Sequence, residues 1–414
     1  MNISRFIKKR KQLLLAVALV CAAALLFSCG EDRTHEYEEK TVACHQLQEL
    51  MAEWYLWNES ISDLDWQQYF AKPSDFITKL TAHSNSDDKW SYCLLDTLES
   101  DPLPWGNFNH VNSYGMDVRL MGDPTGETSR QYARVVSVFE NSPAYRCGIR
   151  RNDFIGQVDN NKMASTVIKN LVNGRAHSLV VGRIGLSDDN TSFRWVSTDT
   201  LMMEKSERVE VPTVLASRMF DAETGYIMLT NLSDAESIVP ALIRLKAYPL
   251  TSLIVDLRLC NRGDIECVHQ VAKMIGSGSG VFLRTFWNNS KAAEYNHTYS
   301  IDGAAEFKLF FITGPYTQGA AEWLIHGLKS MSADDVVVVG TETRGQNVML
   351  KAIPSAYQFT IHPAVAYVAD GDGNYEYTKG ITPDEPVVEY DYAELYPYGN
   401  IYEVMIQYIL TQLL

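Results

Sequence analysis

Leu47, Leu50, Met51 and Trp54 recur at i, i+3, i+4 and i+7, the spacing that gathers apolar side chains on one face of a helix. A second helix is expected from Pro73-Ser74-Asp75 onward, with Phe76 and Leu80 turned inward. The aromatic residues around them, Trp54, Tyr55, Trp57, Trp66, Tyr69 and Phe70, could form a platform for a sugar, but their helical spacing favours a packing role. Between about 106 and 205 the pattern shortens into strands divided by Gly, Asn and Asp, such as 132–138 and 178–184. From about 207 onward it becomes α/β. Strands are expected at 225–230, 252–258, 309–313 and 336–340, and amphipathic helices alternate with them. Val268, Val271, Ala272 and Ile275 stripe one helix, and Ala321, Leu324, Ile325 and Leu328 stripe another. Pro240 fits only a first helical turn, which starts its helix near Ser237 with Ile238, Ala241, Leu242 and Leu245 inward. The glycine-rich run 276–280 follows a helix and not a strand, so it reads as a helix exit and turn, not as a phosphate loop.

The first thirty residues are a separate object. Arg5, Lys8, Lys9, Arg10 and Lys11 precede an apolar run from Leu13 to Phe27, the length of an export-signal core and short for a membrane span. The run ends in Leu26-Phe27-Ser28-Cys29-Gly30, which resembles a lipoprotein signal in which Cys29 is lipidated and becomes the first mature residue. The alternative is an uncleaved anchor, and both place the body outside the cytoplasm, in a bacterial cell envelope on the periplasmic or surface side. Residues 29–40 then form an acidic tether.

The 414 residues are enough for two or three folding units. Their net charge of −15 becomes −20 once residues 1–28, with five bases and no acid, are removed. A surface this acidic excludes broad electrostatic binding of nucleic acid. Five cysteines remain beyond Cys29: Cys44, Cys93, Cys147, Cys260 and Cys267. They cannot all pair, and their wide spread excludes a disulfide-dense scaffold while leaving one bridge open. Cys260, Cys267 and His269 lack the second close pair that a zinc site needs, so no metal and no cofactor is expected.

In the β-rich stretch, 141–150 reads Asn-Ser-Pro-Ala-Tyr-Arg-Cys-Gly-Ile-Arg and is followed by Asn152-Asp153-Phe154-Ile155. This resembles the core of bacterial PDZ domains. Upstream, Ser113-Tyr114-Gly115-Met116 resembles the loop with which such domains receive a peptide C-terminus, so the resemblance assigns peptide binding to Tyr114, Gly115 and Met116. Backbone N–H groups would cradle the carboxylate while a strand edge adds the peptide as another strand. The alternative is a PDZ shell that only packs against its neighbours.

Three further segments, 225–230 (Gly-Tyr-Ile-Met-Leu-Thr), 253–258 (Leu-Ile-Val-Asp-Leu-Arg) and 379–384 (Lys-Gly-Ile-Thr-Pro-Asp), occur in the order found in the tail-specific, or C-terminal-processing, serine peptidases. The resemblance covers nearly the whole mature chain. It implies an α/β fold: a crotonase-like core at 206–414, an inserted PDZ-like domain at 106–205, an N-terminal helical cap at 41–105, the tether at 29–40 and the signal at 1–28. Peptidases of this family cut polypeptides near their C-termini with a serine that a neutral lysine activates, and backbone N–H groups receive the oxyanion.

At the site itself the residues depart from the family pattern. The nucleophile motif Ser-Ala-Ser-Ala-Ser-Glu is here Thr317-Gln318-Gly319-Ala320-Ala321-Glu322, which puts Gly319 at the attacking serine. The lysine motif is Gly340-Thr341-Glu342-Thr343-Arg344-Gly345-Gln346, which puts Gln346 at the base. An amide cannot take a proton from a hydroxyl near neutral pH. The oxyanion loop is Leu259-Cys260-Asn261-Arg262-Gly263-Asp264, where Arg262 or Asp264 replaces a glycine. Gly263 and Ala320 are the candidate oxyanion N–H donors.

The resulting expectation is an exported lipoprotein, held to the membrane through Cys29, that binds extended or C-terminal polypeptide segments without cutting them. The alternative is an active serine-type peptidase with a displaced nucleophile, for which Thr317, His326 and Lys329 are the nearby groups. Against it, Thr317 reads as a helix cap, Glu322 as a first-turn acid and His326 as a surface residue. A purely structural surface lipoprotein is the third class.

Overall fold

The computed structural model describes residues 34–61, 69–85, 88–95, 113–172, 174–189, 192–389 and 395–413. Cys29, the export signal and Trp66 lie outside the described residues. Among the described residues no helix is long and apolar enough to cross a membrane.

Two helices, α1 (Thr34–Trp54) and α2 (Pro73–Ser84), open the chain. The first begins seven residues before Thr41, so 34–40, read as tether, are helical. Leu47, Met51, Phe76 and Leu80 are fully buried as their spacing requires, and Pro73 occupies the first helical position, where its missing N–H costs nothing. Phe70 departs from the expected packing role and is 38% exposed. Strand β1 (Tyr92–Leu95) follows.

The β-rich module holds β2 (Met116–Gly122), β3 (Gln131–Val138), the short helix α3 (Pro143–Arg146), β4 (Phe154–Val158), β5 (Asn161–Lys162), β6 (His177–Leu186) and β7 (Phe193–Met203). Its sheet runs β2-β3-β4-β6-β7, with β5 paired to β4. Val135, Ile155, Leu179 and Val181 form its core with Ala144 of α3, which the Ser142 side chain caps through the N–H of Tyr145.

The remainder is built on β8 (Val214–Met219), β9 (Thr224–Leu229), α4 (Ala235–Lys246), β10 (Ser252–Asp256), α5 (Ile265–Ile275), β11 (Ser277–Trp287), α6 (Ala292–Tyr295), β12 (Thr298–Ala304), β13 (Lys308–Thr313), α7 (Ala320–Met331) and β14 (Val336–Gly340). Then come β15 (Val348–Leu350), β16 (Ile353–Pro354), β17 (Phe359–His362), β18 (Ala364–Asp370), β19 (Glu385–Pro386) and α8 (Val404–Tyr408). The central sheet is ordered β19-β14-β13-β10-β9-β8 and is parallel except for β8. Both of its faces are covered, which is why its strands are near-continuous apolar runs and do not alternate. Ile227, Val255 and Phe311 pack with α4, α5 and α7 on one face, while Tyr226, Ile254 and Phe310 pack with α8 on the other. A four-stranded antiparallel sheet, β12-β11-β18-β15, stands beside it, and β1 joins β17 and β16 to tie the N-terminal helices to the core.

Two expectations are corrected. Helix α4 starts at Ala235 and not near Ser237, because Asp234 caps it through the N–H of Ser237 (3.1 Å). Pro240 therefore sits in the second turn, where it withholds one helical N–H at an exposed position. The run 276–280 is not a turn: Gly276 ends α5, and 277–280 already pair with β12 as the start of β11. The five described cysteines are all free, and four of them are buried.

Candidate functional site

At the C-terminal end of β13 the chain turns through Gly314–Gln318 into α7, and Gly319 is the residue before the helix. Its φ of 59° and ψ of −112° form a sharp turn that a side chain adopts only under strain. A Cβ placed there would lie 3.1 Å from Oε1 of Gln346. The residues that the sequence assigns to nucleophile and base are therefore neighbours, and both lack the reacting group.

Glu322, fully buried in the first turn of α7, holds the two loops together. Its carboxylate accepts the N–H of Gly319 (2.8 Å), of Gly345 (2.5 Å) and of Gln346 (2.7 Å), and the hydroxyl of Thr343 donates to it as well. Burial pushes this carboxyl upward from its ordinary value, and the four donors pull against that. Gln346 is held on every side. Its Nε2 donates to the Val348 carbonyl (3.0 Å), its Oε1 accepts from Gln318 Nε2 (2.8 Å), and Trp323 Nε1 donates to its backbone carbonyl (3.0 Å). Gln318 Oε1 is buried without a hydrogen-bond partner among the described residues.

The segment 379–384 clasps the same loop. Ile381 N–H donates to Thr343 Oγ1 (2.7 Å), and Gly380, at φ 121°, leaves no room for a Cβ beside the Thr343 carbonyl (2.2 Å). Gly263 packs directly on the start of α7, where a Cβ would stand 2.6 Å from that of Ala320, so the two residues that are candidate oxyanion donors are neighbours. Asp264 caps α5 through the N–H of Cys267 (2.8 Å). Arg262 is exposed at the surface of this loop.

The displaced groups are not assembled. Thr317 is fully buried and caps no helix: its hydroxyl donates to the Leu257 carbonyl (2.9 Å) and accepts the Gly314 N–H (2.9 Å), which braces the turn. His326 is half-buried, bonds the Asn374 carbonyl through Nε2 (2.8 Å) and packs on Tyr377, while Lys329 pairs with Asp384. Neither partner set includes Thr317 or Gly319.

In the β-rich module, Tyr114 is buried and its hydroxyl donates to the Arg175 carbonyl (2.5 Å). Gly115, at φ 70°, donates its N–H to Ser113 Oγ (3.1 Å), and Met116 begins β2, which is an edge strand. Asp117, next along β2, is buried and accepts the hydroxyl of Tyr316 from the turn before Gly319; burial pushes its carboxyl upward.

Sequence reasoning passed over a buried charge cluster behind the site. Arg258 donates to Asp256, Glu389 and Glu403 (2.6 Å each), and Arg151 of the β-rich module shares Glu389 (2.6 Å). Arg151 and Glu389 stand 238 residues apart, and no local pattern links them.

The profile of peptidase family S41 matches residues 223–387, and that of the peptidase S41 N-terminal domain matches 45–92. The carboxy-terminal processing proteases CtpB and CtpA of Bacillus subtilis are 26% and 25% identical over 275 and 277 residues, 64% of this chain in each case. Those stretches are 54% and 55% of the two relatives, so the match spans about half of their length. The crystal structure of an S41-family protein from Bacteroides fragilis superposes with a TM-score of 0.75 at 20% identity, over 89% of this chain and 97% of that one. Fold, profile matches and relatives agree that this chain belongs to peptidase family S41.

Proposed function

We propose that the protein is an exported, lipid-anchored S41 homologue that binds extended or C-terminal polypeptide segments and does not cleave them. The observation that carries this reading is Gly319 set against Gln346 inside a frame that Glu322 braces. Covalent peptidase chemistry needs a nucleophilic atom and a group that takes its proton, and the two act as a unit. Here the first position has no side chain and the second is an amide whose polar atoms are already bonded. The loops around them are braced by Glu322, so the frame stands without the reacting atoms.

Binding is supported by the PDZ-like module, whose strand β2 is an edge of its sheet among the described residues. Met116, Val118 and Leu120 of that strand are partly buried against the module's core, as are Val167 and Ile168, which gives the edge an apolar side beside which a peptide strand can add.

The test is incubation of the full chain with casein and with a fluorophosphonate probe. Wild type is expected to leave casein intact and take no label, and Thr317→Ala is expected to behave the same. Gly319→Ser with Gln346→Lys together is expected to give labelling and slow cleavage, whereas each change alone gives neither. Turnover by wild type, or an acyl adduct trapped on it, would overturn the proposal.

A further inference from the structure

Between the β-rich module and the core the chain runs through residues 208–213, an extended segment whose exposure alternates residue by residue as in a strand. Val209 and Val211 turn inward and pack against the core beside Leu215 and Phe220, while Arg208 and Glu210 turn outward. Yet Val209, Glu210 and Val211 make no backbone hydrogen bond among the described residues. A pinned strand with bare backbone groups is a template for another strand.

A cleft of about 760 Å³ lies along this segment, and its far wall is built from Asp234, Ser237 and Arg262. Arg262 leaves the oxyanion-type loop immediately before Gly263, and that loop is fixed: Leu232 N–H donates to the Arg262 carbonyl (2.9 Å) and Asp264 N–H to the Leu232 carbonyl (2.9 Å). Arg208 and Arg262 are both exposed, and neither joins an ion pair among the described residues. Of the two acids in the wall, Asp234 is occupied in capping α4, with the N–H and hydroxyl of Ser237 on its oxygens, which leaves Glu210 alone. Formal charge along the cleft is therefore balanced, two bases against two acids, and what it offers an anion is the two guanidinium groups that no carboxylate pairs among the described residues.

The PDZ-like loop is less ready for an anion. The Gly115 N–H is already given to Ser113 Oγ, and Ser113 is itself bridged to Glu207 in both directions (2.8 and 3.1 Å).

We propose that the cleft beside Arg262 is the receptor for the free carboxylate end of a polypeptide, which lies along Val209–Val211 as an added strand. This rests on the peptide-binding reading and specifies where the terminus is held: a guanidinium takes it, in a loop that in the peptidases serves an oxyanion. Arginine suits the task because its planar fork matches a carboxylate with two parallel hydrogen bonds.

The experiment is affinity selection on the full chain from two random octapeptide libraries, one with free and one with amidated C-termini. Enriched sequences are then synthesised in both forms and titrated by fluorescence anisotropy. Amidation and Arg262→Gln are each expected to weaken binding about tenfold or more, and the two together no more than either alone. Arg208→Gln is expected to weaken it less, and an unchanged melting temperature verifies that each variant is folded. Equal affinity for acid and amide overturns the proposal while leaving peptide binding intact. So does a preference for the acid that survives Arg262→Gln, which would return the terminus to the Tyr114 loop. Enrichment from neither library overturns both this inference and the proposed function.

Discussion

Glu322 shows how much a single residue can hold here. Its carboxylate gathers three backbone N–H groups and a hydroxyl from loops that arrive from β13 and β14. Replacing it with alanine strands those donors in a dry interior, and each buried unsatisfied donor costs about 1–3 kcal/mol. Glu322→Ala is therefore expected to lose roughly 3 kcal/mol or more in denaturant titration, and Glu322→Gln less. A loss within 1 kcal/mol would mean that the loops hold themselves. The sequence placed Glu322 correctly in the first turn of a helix, but its partners at 343–346 are brought near by the parallel pairing of β13 with β14, which no local spacing displays. Thr317 illustrates the opposite error. A threonine before a helix suggests a cap, yet the glycine two residues later starts the helix and the hydroxyl braces the preceding turn.

The elements were the most legible part of the chain. Strands at 225–230, 309–313 and 336–340 and the inward faces of α4, α5 and α7 follow from apolar periodicity, because a sheet covered on both sides and helices covered on one leave distinct patterns. Glycine-rich 277–280 escaped this logic, since it pairs through its backbone and carries no side-chain signal. The joint between β1 and β17 gives a pH prediction. His362 stacks flat on Tyr92 (4.4 Å between rings), and burial pulls its pKa down to about 4. A histidine that is harder to protonate when folded contributes stability above its unfolded pKa of about 6.5. That contribution is lost as pH falls towards 4. Wild type is expected to melt at lower temperature through this window, and His362→Phe to flatten the dependence. An equal slope in both proteins would remove His362 as its source.

Across the whole molecule, the β-rich module and the core are joined by charge as well as by apolar contact. Arg151 enters from the module to share Glu389 with Arg258, and its Nη1 also donates to the Tyr396 carbonyl (2.6 Å). Removing one member of a buried pair leaves the others uncompensated, at about 3–5 kcal/mol. Arg258→Met is expected to destabilise the chain by about that amount, because three carboxylates then face one remaining guanidinium. Arg151→Met is expected to lower the module's protection in hydrogen exchange before that of the central sheet. Equal loss of protection in both regions would show that the two unfold as one body.

The glycine at the head of α7 also bears on how such a protein would be used. On the proposed reading each captured chain occupies one cleft until it departs unchanged, so capacity is set by copy number and residence time, never by turnover. Doubling the protein would double what is held at any moment, and a slow off-rate, a fault in a catalyst, would here be the useful property.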